Sequence, residues 1–497
     1  MTLWAAVLLV AAVATHEEDI YAPIFHVSPA GCGGGWLNDP NAPFEFKGRH
    51  HLFYQYARDD APGPGPGGRL ISWGHVAGNL SHARCLPPAL VPGVDGDGSP
   101  TPYDAQGVFT GSVTVVGGRP VATYPAMPGS HMAGAWPADP DDPDLVRWTK
   151  DPRNPLDGDV RGGPLAGPLG CTAAWREGGT WTTTIEGGRP LAVKFFASAD
   201  FVAWDEEGDL DCPACAACAV PCSDFYPLAD RWVFGINSFG CHLASGGAVV
   251  GELGENRTFT VAGARAREVA AELAAGSTAN ASYFAYDYGA AKYPKGYETS
   301  DGRRIQYAWL DEPADTPKKQ TWLGAQTAPR VVAPARADDP STSVLVNPVA
   351  ELAALRTAAL AADASAAGAG AWAAAGVAGR HLDVVVDFRG WAAGPVGVAA
   401  QNGTFAYTFT PLGAAGGLVR GRVEGTGGAG FLSIPATQEL LRVRVLVDGS
   451  VGEAFFDGGR ARVASRAYGA GDAVALLAPA NATASLSAWA MGSMWLP

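Results

Sequence analysis

Short runs of hydrophobic residues follow one another from about Tyr21 to Arg330, with glycine-, proline- and aspartate-rich loops between them. Examples are HHLFYQY, GVFTGSVTVV, TWTTTI, LAVKFFAS, RWVFGIN and RIQYAWL. No run long enough for a core helix intervenes, so the pattern predicts a nearly all-β region. Many short strands with turn-rich connections are typical of a sandwich, a barrel or a propeller, and the pattern alone does not choose among them.

The pattern changes after Arg330. A loop, VVAPARADDPSTS, precedes AELAALRTAALAADA, which predicts a short helix. From His381 to the C-terminus the strands alternate more cleanly, as in HLDVVVDF, LLRVRVLVDG and ASLSAWA, which is typical of an antiparallel sandwich. We therefore expect a first domain over 20–335, a linker with a short helix over 336–365, and a second domain over 366–497.

The N-terminal run MTLWAAVLLVAAVAT ends in a small-x-small cleavage pattern and predicts a signal peptide over residues 1–14. It is too short to span a bilayer, and no later segment reaches about 18 apolar residues. We expect a secreted or vacuolar glycoprotein that is not held in a membrane. Five N-glycosylation sequons agree with export, at Asn79, Asn256, Asn280, Asn402 and Asn481.

Charge narrows the classes of partner. The chain has 497 residues, with 35 basic and 49 acidic side chains and a net charge of −14. This balance opposes binding to nucleic acid, and no basic run is available for an anionic membrane surface.

The cysteines offer a metal-binding alternative. CPACAACAVPC has the spacing of a bacterial-type iron–sulfur motif, C-x2-C-x2-C-x3-C, from Cys212 to Cys222. The proline that follows the fourth cysteine in that motif is Ser223 here, and export favours disulfides. We expect neither a metal nor another cofactor, and the pairing of the eight cysteines stays open.

One segment, GGWLNDPNAPF, has no helical or strand periodicity and contains a lone carboxylate, Asp39. A carboxylate fixed beside tryptophan and asparagine could attack the anomeric carbon of a sugar, as retaining glycosidases require. The alternative is that Asn38 and Asp39 only close a turn before Pro40.

The context favours the sugar site. WLNDPN resembles the W-M-N-D-P-N-G signature of glycoside hydrolase family 32, the invertases and fructan hydrolases, and the resemblance continues through KGRHHLFYQY, SWGH, VFTGSVT, FFASADFVAW, CSDFYPL, YDYG and QTAPR. VLVDGSVGEAFFDGGR and ASLSAWAM are similar to the C-terminal sandwich of that family. The resemblance implies a five-bladed β-propeller followed by a C-terminal β-sandwich.

The resemblance also implies roles for residues. Asp39 would be the nucleophile, and Trp36 and Asn38 would flank the fructosyl ring. Further residues would line the sugar site, namely Gln55, Trp73, Phe109 and Thr110. For each of these residues the alternative role is a packed aromatic or a strand-capping polar group. Ala42 replaces a family glycine and would strain the loop if this position needs a positive φ.

Two family motifs are altered. The R-D-P motif, whose aspartate steadies the transition state, is replaced by residues 169–171, with Gly170 at the aspartate position. The acid/base glutamate of W-E-C-x-D-F-Y-P is replaced by Pro221, which can neither donate a proton nor ionise. Asp224 is the candidate substitute acid, with a solvated loop carboxylate as the alternative.

We therefore expect an invertase-type glycosidase that hydrolyses terminal β-fructofuranosyl bonds in sucrose or a fructan, with its activity in doubt. One rival is a carbohydrate-binding or regulatory protein that has kept the sugar pocket. Another is a fructosyltransferase with a replacement acid.

Overall fold

The computed structural model describes residues 19–58, 68–129, 131–156, 160–161, 170–171, 174–187, 192–201, 203–212, 224–236, 246–254, 256–275, 277, 279–313, 316–317, 321–368 and 370–497. The predicted signal peptide and the cysteines after Cys212 in the CPACAACAVPC motif lie outside these ranges. Cys212 itself is disulfide-bonded, as are Cys32 and Cys85, which bond to each other.

Five small, mostly antiparallel sheets form the first part of the molecule, and we call them blades 1 to 5 in chain order. Blade 1 contains, in spatial order, Trp322–Leu323, Gly35–Phe46, Arg49–Ala57, Ser72–Gly78 and Ala83–Leu90. Blade 2 contains Trp148–Lys150, His131–Pro137, Arg119–Met127 and Gly107–Val108, with Ser112–Val116 also paired to Arg119–Met127. A two-stranded ribbon, Gly93–Val94 with Pro100–Thr101, lies between these blades in the chain.

The next three blades repeat the arrangement. Blade 3 contains Val160–Arg161, Trp204–Asp209, Ala192–Ser198, Thr180–Gly187 and Gly170–Cys171, with Trp175–Glu177 also paired to Thr180–Gly187. Blade 4 contains Asp224–Leu228, Arg231–Ile236, Gly247–Leu253 and Phe259–Val261. Blade 5 contains Ala291–Glu298, Arg304–Leu310, Arg330–Pro334 and Val344–Pro348, with Ala325–Gln326 also paired to Arg304–Leu310.

A pair of strands distant in sequence closes the ring of blades. Trp322–Leu323 lies between strands of blade 5 in the chain but pairs in parallel with Gly35 and Trp36 of blade 1. Blade 1 therefore contains both an early and a late segment of the propeller.

Two six-stranded sheets form the second part. One contains Arg356–Ala367, Thr483–Met491, His381–Arg389, Leu440–Asp448, Val451–Phe456 and Ala461–Arg466. The other contains Ala373–Ala378, Ala473–Leu477, Val396–Ala400, Phe405–Ala415, Leu418–Gly425 and Gly428–Pro435. Alternate side chains of both sheets, such as Val384, Val398 and Phe409, are buried in one core. The predicted all-β fold, a five-bladed propeller followed by a sandwich, is confirmed.

Two predictions about helices are wrong. The segment predicted as a short helix begins with a 3₁₀ turn, Ala350–Leu355, but Arg356–Ala367 is an edge strand paired with Thr483–Met491. Pairing with that strand overrides the helix propensity of its alanines. Conversely, Ala264–Ala274 is an α-helix in a region predicted to be nearly all strand.

The remaining helical segments among the described residues are short 3₁₀ turns, at Pro29–Cys32, Pro102–Asp104, Ala281–Tyr283, Trp391–Ala393 and Gln401–Gly403. In the ranges that the structure describes, no helix is long and apolar enough to cross a membrane.

A buried ionic network joins the propeller to the sandwich. Arg330 of blade 5 contacts Asp287 at 3.0 Å and Glu453 at 3.2 Å. His26 contacts Glu453 at 3.3 Å and Asp448 at 2.8 Å. All five side chains are completely buried. Burial alone would lower the pKa of His26, but Asp448 and Glu453 raise it to about 9.

This network predicts a loss of stability at alkaline pH. Unfolding returns the pKa of His26 from about 9 to 6.5, so the folded state binds one more proton between these values. Its stabilising effect is complete below pH 6.5 and is lost as the pH rises through about 9. We expect the free energy of unfolding to fall by about 3 kcal/mol over this interval, measured by urea denaturation.

The variant His26→Gln can form hydrogen bonds but does not titrate. It should be less stable than the wild type at pH 6 and should lose most of the pH dependence. A wild-type stability that stays constant from pH 6.5 to 9.5 would contradict the assignment.

Candidate active site

Asp39 lies on Gly35–Phe46, where blades 1, 2 and 5 meet. This strand contacts Ser112–Val116 of blade 2 and Ala291–Glu298 of blade 5. Its pairing with Arg49–Ala57 is interrupted between Leu37 and Pro40. Asp39 therefore lies in an irregular stretch of strand and not in a simple turn before Pro40.

The carboxylate of Asp39 is buried, and only one of its two oxygens has a hydrogen-bond partner among the described residues. Its Oδ2 accepts a hydrogen bond from Thr110 Oγ1 at 2.9 Å, and Thr110 Oγ1 in turn accepts one from Gln55 Nε2 at 2.5 Å. Its Oδ1 has no hydrogen-bond partner among the described residues. Burial raises the pKa of Asp39 to about 6, although the Thr110 hydrogen bond and the charge of Lys295 act to lower it. The group is therefore a carboxylate above about pH 6, and its Oδ1 keeps an unused capacity to accept a hydrogen bond.

A second hydrogen-bond layer fixes these groups. Trp73 Nε1 donates to the carbonyl of Phe109 at 2.9 Å. The side-chain amide of Asn41 is oriented so that both its oxygen and its nitrogen form hydrogen bonds. The oxygen accepts from Trp73 Nε1 and from the backbone N–H of Gln55, each at 3.1 Å, and the nitrogen donates to Thr110 Oγ1 at 3.3 Å. Asn41 therefore links the Thr110 and Trp73 sides of the site.

Trp36 forms an apolar wall. It packs with Ala57 and Ile71, and Phe109 and Leu323 lie against the same cluster. The Arg69 guanidinium lies 5.2 Å from the centre of the Trp36 ring. A flat aromatic ring beside polar groups suits the apolar face of a sugar.

Asn38 is held through its backbone. Gln326 Nε2 donates to the Asn38 carbonyl at 2.5 Å. The side-chain oxygens Asn38 Oδ1 and Gln326 Oε1 are buried and have no hydrogen-bond partner in the part of the chain that is described. These oxygens are acceptors that hydroxyl groups of a ligand could satisfy.

Of the seven residues predicted on blade 1 and its neighbours, the structure brings six into connected contacts, and Asn38 adjoins them as the chain neighbour of Asp39. These residues are Trp36, Asn38, Asp39, Gln55, Trp73, Phe109 and Thr110. Their individual roles toward a substrate stay predictions.

Sequence reasoning missed Asn41, Gln326 and Lys295. Asn41 and Gln326 belong to motifs that were recognised, WLNDPN and QTAPR, and could have been found there. Lys295 is buried on Ala291–Glu298, just after a break in strand register that follows Lys292. A lysine inside a strand has no sequence signal that identifies it as a neighbour of Asp39.

The structure describes only one of the two altered positions, Gly170. Gly170 forms a strand with Cys171, paired to Glu186 and Ile185, and has no side chain to contribute. Pro221 lies outside the described residues. Asp224 is buried, and its Oδ2 accepts from Arg304 Nη2 at 3.0 Å and from the Gly296 backbone at 3.2 Å. The substitute-acid role of Asp224 stays a prediction, and its place in this ion pair does not favour it.

No group of three or more His, Cys, Asp or Glu side chains suited to a metal ion occurs among the residues described.

Comparison with known proteins agrees with the arrangement of motifs. Residues 26–347 match the model of the glycosyl hydrolases family 32 N-terminal domain. The chain is 29% identical over 370 residues to "Beta-fructofuranosidase, insoluble isoenzyme 6" of Oryza sativa subsp. japonica, covering 67% of this chain and 57% of that protein. The match to several such relatives spans little more than half their length.

Solved structures share the fold. The crystal structure of fructan 1-exohydrolase IIa from Cichorium intybus has a TM-score of 0.75 at 23% identity, over 95% of this chain and 98% of that chain. A β-fructofuranosidase of Bombyx mori, solved as a mutant in complex with sucrose, has a TM-score of 0.69 at 20% identity, over 96% and 95% of the two chains.

The backbone at Ala42 generates a prediction about stability. Ala42 is buried with a φ of +43°, a left-handed conformation that costs a residue with a Cβ about 1–2 kcal/mol. Glycine adopts it freely but loses more entropy on folding. We expect Ala42→Gly to raise the free energy of unfolding by about 0.5–1 kcal/mol in denaturant titrations.

Ala77 provides the matched control. It is equally buried on the strand Ser72–Gly78 and has no positive φ. Ala77→Gly should therefore destabilise the protein. A loss of stability in both variants would show that Ala42 is not strained.

Proposed function

Because the chain belongs to glycoside hydrolase family 32, we propose that it recognises a terminal β-fructofuranosyl unit, as in sucrose or a fructan, and that Asp39 is the nucleophile of a retaining hydrolysis. The observation that carries this proposal is the Asp39 carboxylate, which is buried, held through Oδ2 by Thr110, and without a partner for Oδ1 among the described residues. An oxygen held in this way is available to attack a bound sugar.

In the proposed reaction, Asp39 Oδ1 forms a bond to the anomeric carbon as the glycosidic bond breaks. The leaving oxygen takes the bonding electrons and must gain a proton. Water then attacks the anomeric carbon and releases the fructosyl unit from Asp39. Trp36 would support the ring, and Asn38 and Gln55 would engage its hydroxyl groups, with Trp73, Phe109 and Thr110 completing the wall.

Two missing groups favour a second candidate function. Pro221 stands where a glutamate would supply the proton, and Gly170 stands where an aspartate would steady the transition state. Loss of a positioned general acid typically lowers a rate by about 10²–10⁴. The second candidate is therefore a carbohydrate-binding or regulatory protein that holds the fructosyl unit without turning it over.

We further propose that the protein enters the secretory pathway, on the evidence of its predicted signal peptide and sequons. The partner is a small carbohydrate. For comparison, solved family structures contain sucrose in the Bombyx mori protein and 1-kestose in the Cichorium intybus protein.

The leaving group separates the two candidates. An aryl β-fructofuranoside with a nitrophenolate leaving group needs no acid, whereas sucrose does. If Asp39 is a working nucleophile, we expect the aryl substrate to be cleaved at least about 10²-fold faster than sucrose, with both activities abolished by Asp39→Asn.

The rate should also rise with pH through about 6, because the raised pKa of Asp39 leaves it protonated and unreactive below that value. Sugar binding without cleavage of either substrate would favour the binding function. Sucrose turnover at an ordinary rate of roughly 1–10³ s⁻¹ would show that another group has become the acid, and Asp224 is the first to test.

Restoring both missing groups should restore hydrolysis. We expect the double variant Gly170→Asp with Pro221→Glu to raise the sucrose rate by at least about 10²-fold, measured as reducing-sugar release. Either single variant should recover little, because the acid and the stabilising carboxylate act on one transition state. A gain from Pro221→Glu alone that matches the double variant would contradict this interdependence.

A further inference from the structure

The carboxylate of Glu312 connects the sandwich to the propeller. Glu312 lies in the loop after Arg304–Leu310 of blade 5. Its Oε1 contacts Arg466 Nη2 at 2.6 Å, and its Oε2 accepts from the hydroxyl of Tyr468 at 2.6 Å. Arg466 is buried at the end of a sandwich strand and also donates to Ser450 Oγ at 2.8 Å. Glu312 is therefore held by groups that belong to the sandwich.

The same carboxylate holds the segment that closes the propeller. Its Oε1 also accepts from the backbone N–H of Gly324 at 2.6 Å. Gly324 has a φ of +87°, and a Cβ built on it would lie 2.0 Å from the carbonyl oxygen of Leu37. Only glycine can approach the strand of Asp39 this closely. We call residues 321–326 the closing segment.

The closing segment supports the candidate active site directly. Leu323 pairs with Trp36 and packs against the apolar cluster that contains Trp36, and Gln326 donates to the carbonyl of Asn38, next to Asp39. The N-terminal end of the segment is also held, since the Arg466 guanidinium lies 5.5 Å from the centre of the Trp322 ring. Contacts from the sandwich thus reach, through the closing segment, the backbone from Gly35 to Asn38, directly before Asp39.

We propose that Glu312 is a positioning residue for the fructosyl site, through which Arg466 and Tyr468 of the sandwich hold the closing segment against Trp36 and Asn38. The expected effect on sugar binding rests on the function proposed above, whereas the physical connection through Glu312 does not. The charge of Glu312 is essential to the arrangement, because one carboxylate accepts hydrogen bonds from a guanidinium, a phenol and a backbone amide at once.

The chain offers a matched control. Arg460 of the sandwich contacts Asp339 of blade 5 through two hydrogen bonds at 2.8 and 2.9 Å, with side-chain burial similar to that of the Glu312 pair. No described contact of Asp339 reaches the closing segment. Asp339→Asn therefore removes a carboxylate that pairs with an arginine at the same junction without disturbing the site.

Hydrogen exchange tests the connection without a ligand. In the full chain, we expect Glu312→Gln to speed amide exchange in peptides covering residues 35–46 by about tenfold or more, and Tyr468→Phe to give a smaller increase. Asp339→Asn should leave exchange in these peptides within about twofold of the wild type. Tyr468→Phe keeps the charge pair and serves if Glu312→Gln does not fold.

Binding of sucrose tests whether Glu312 affects the fructosyl site. By titration calorimetry, Glu312→Gln should weaken binding by about tenfold and Asp339→Asn by less than twofold. Equal effects of Glu312→Gln and Asp339→Asn on exchange, or no effect of Glu312→Gln and Tyr468→Phe, would overturn the inference. If the wild type binds no sucrose while the exchange pattern is as expected, the proposed function fails and the positioning role of Glu312 stands.

Discussion

The pairing of Arg330 with Asp287 and Glu453 is the interaction on which the rest of the molecule depends. Each of these charges is completely buried, and a buried ion costs several kcal/mol unless a partner of opposite charge accompanies it. Arg330 belongs to blade 5, Asp287 lies just before its first strand, and Glu453 belongs to the sandwich. His26, ahead of the first blade, contacts both Glu453 and Asp448. If the propeller, the sandwich or the N-terminal segment of His26 moved away, a charged side chain would stay unpaired in the apolar interior. The propeller and the sandwich therefore form one unit.

The candidate active site depends on this unit because its groups come from different blades. Asp39 and Gln55 belong to blade 1, Lys295 belongs to blade 5, and Thr110 lies between two strands of blade 2. The distances between these groups are fixed only if the blades are held at fixed positions. The same assembly removes water from Asp39, which is why its pKa rises although Thr110 and Lys295 oppose the change. Burial that orders the carboxylate therefore also limits the pH range in which it is ionised.

Local patterns predicted most of the strands and a large part of the site. The alternation in HLDVVVDF matches the strand His381–Arg389, and the motif around Asp39 identified residues that do share contacts. Errors arose where distant contacts decide the outcome. An alanine-rich segment became the strand Arg356–Ala367 because a partner strand was available, and Lys295 approaches Asp39 only because blades 1 and 5 are neighbours in the closed ring. At Ala42, by contrast, local sequence was sufficient. An alanine at a glycine position of the family indicated strain, and the φ of +43° agrees with it.

The parallel pairing of Gly35 and Trp36 with Trp322 and Leu323 has a consequence for synthesis of the chain. A ribosome adds the second member of this pair almost three hundred residues after the first. Until then, the nascent chain has an open ring with an unpaired edge beside Trp36, and such edges are prone to misassociation. The Arg466 contact with Glu312 requires a still later part of the chain. The candidate active site is therefore among the last features to mature, although its principal motif is among the first to be translated.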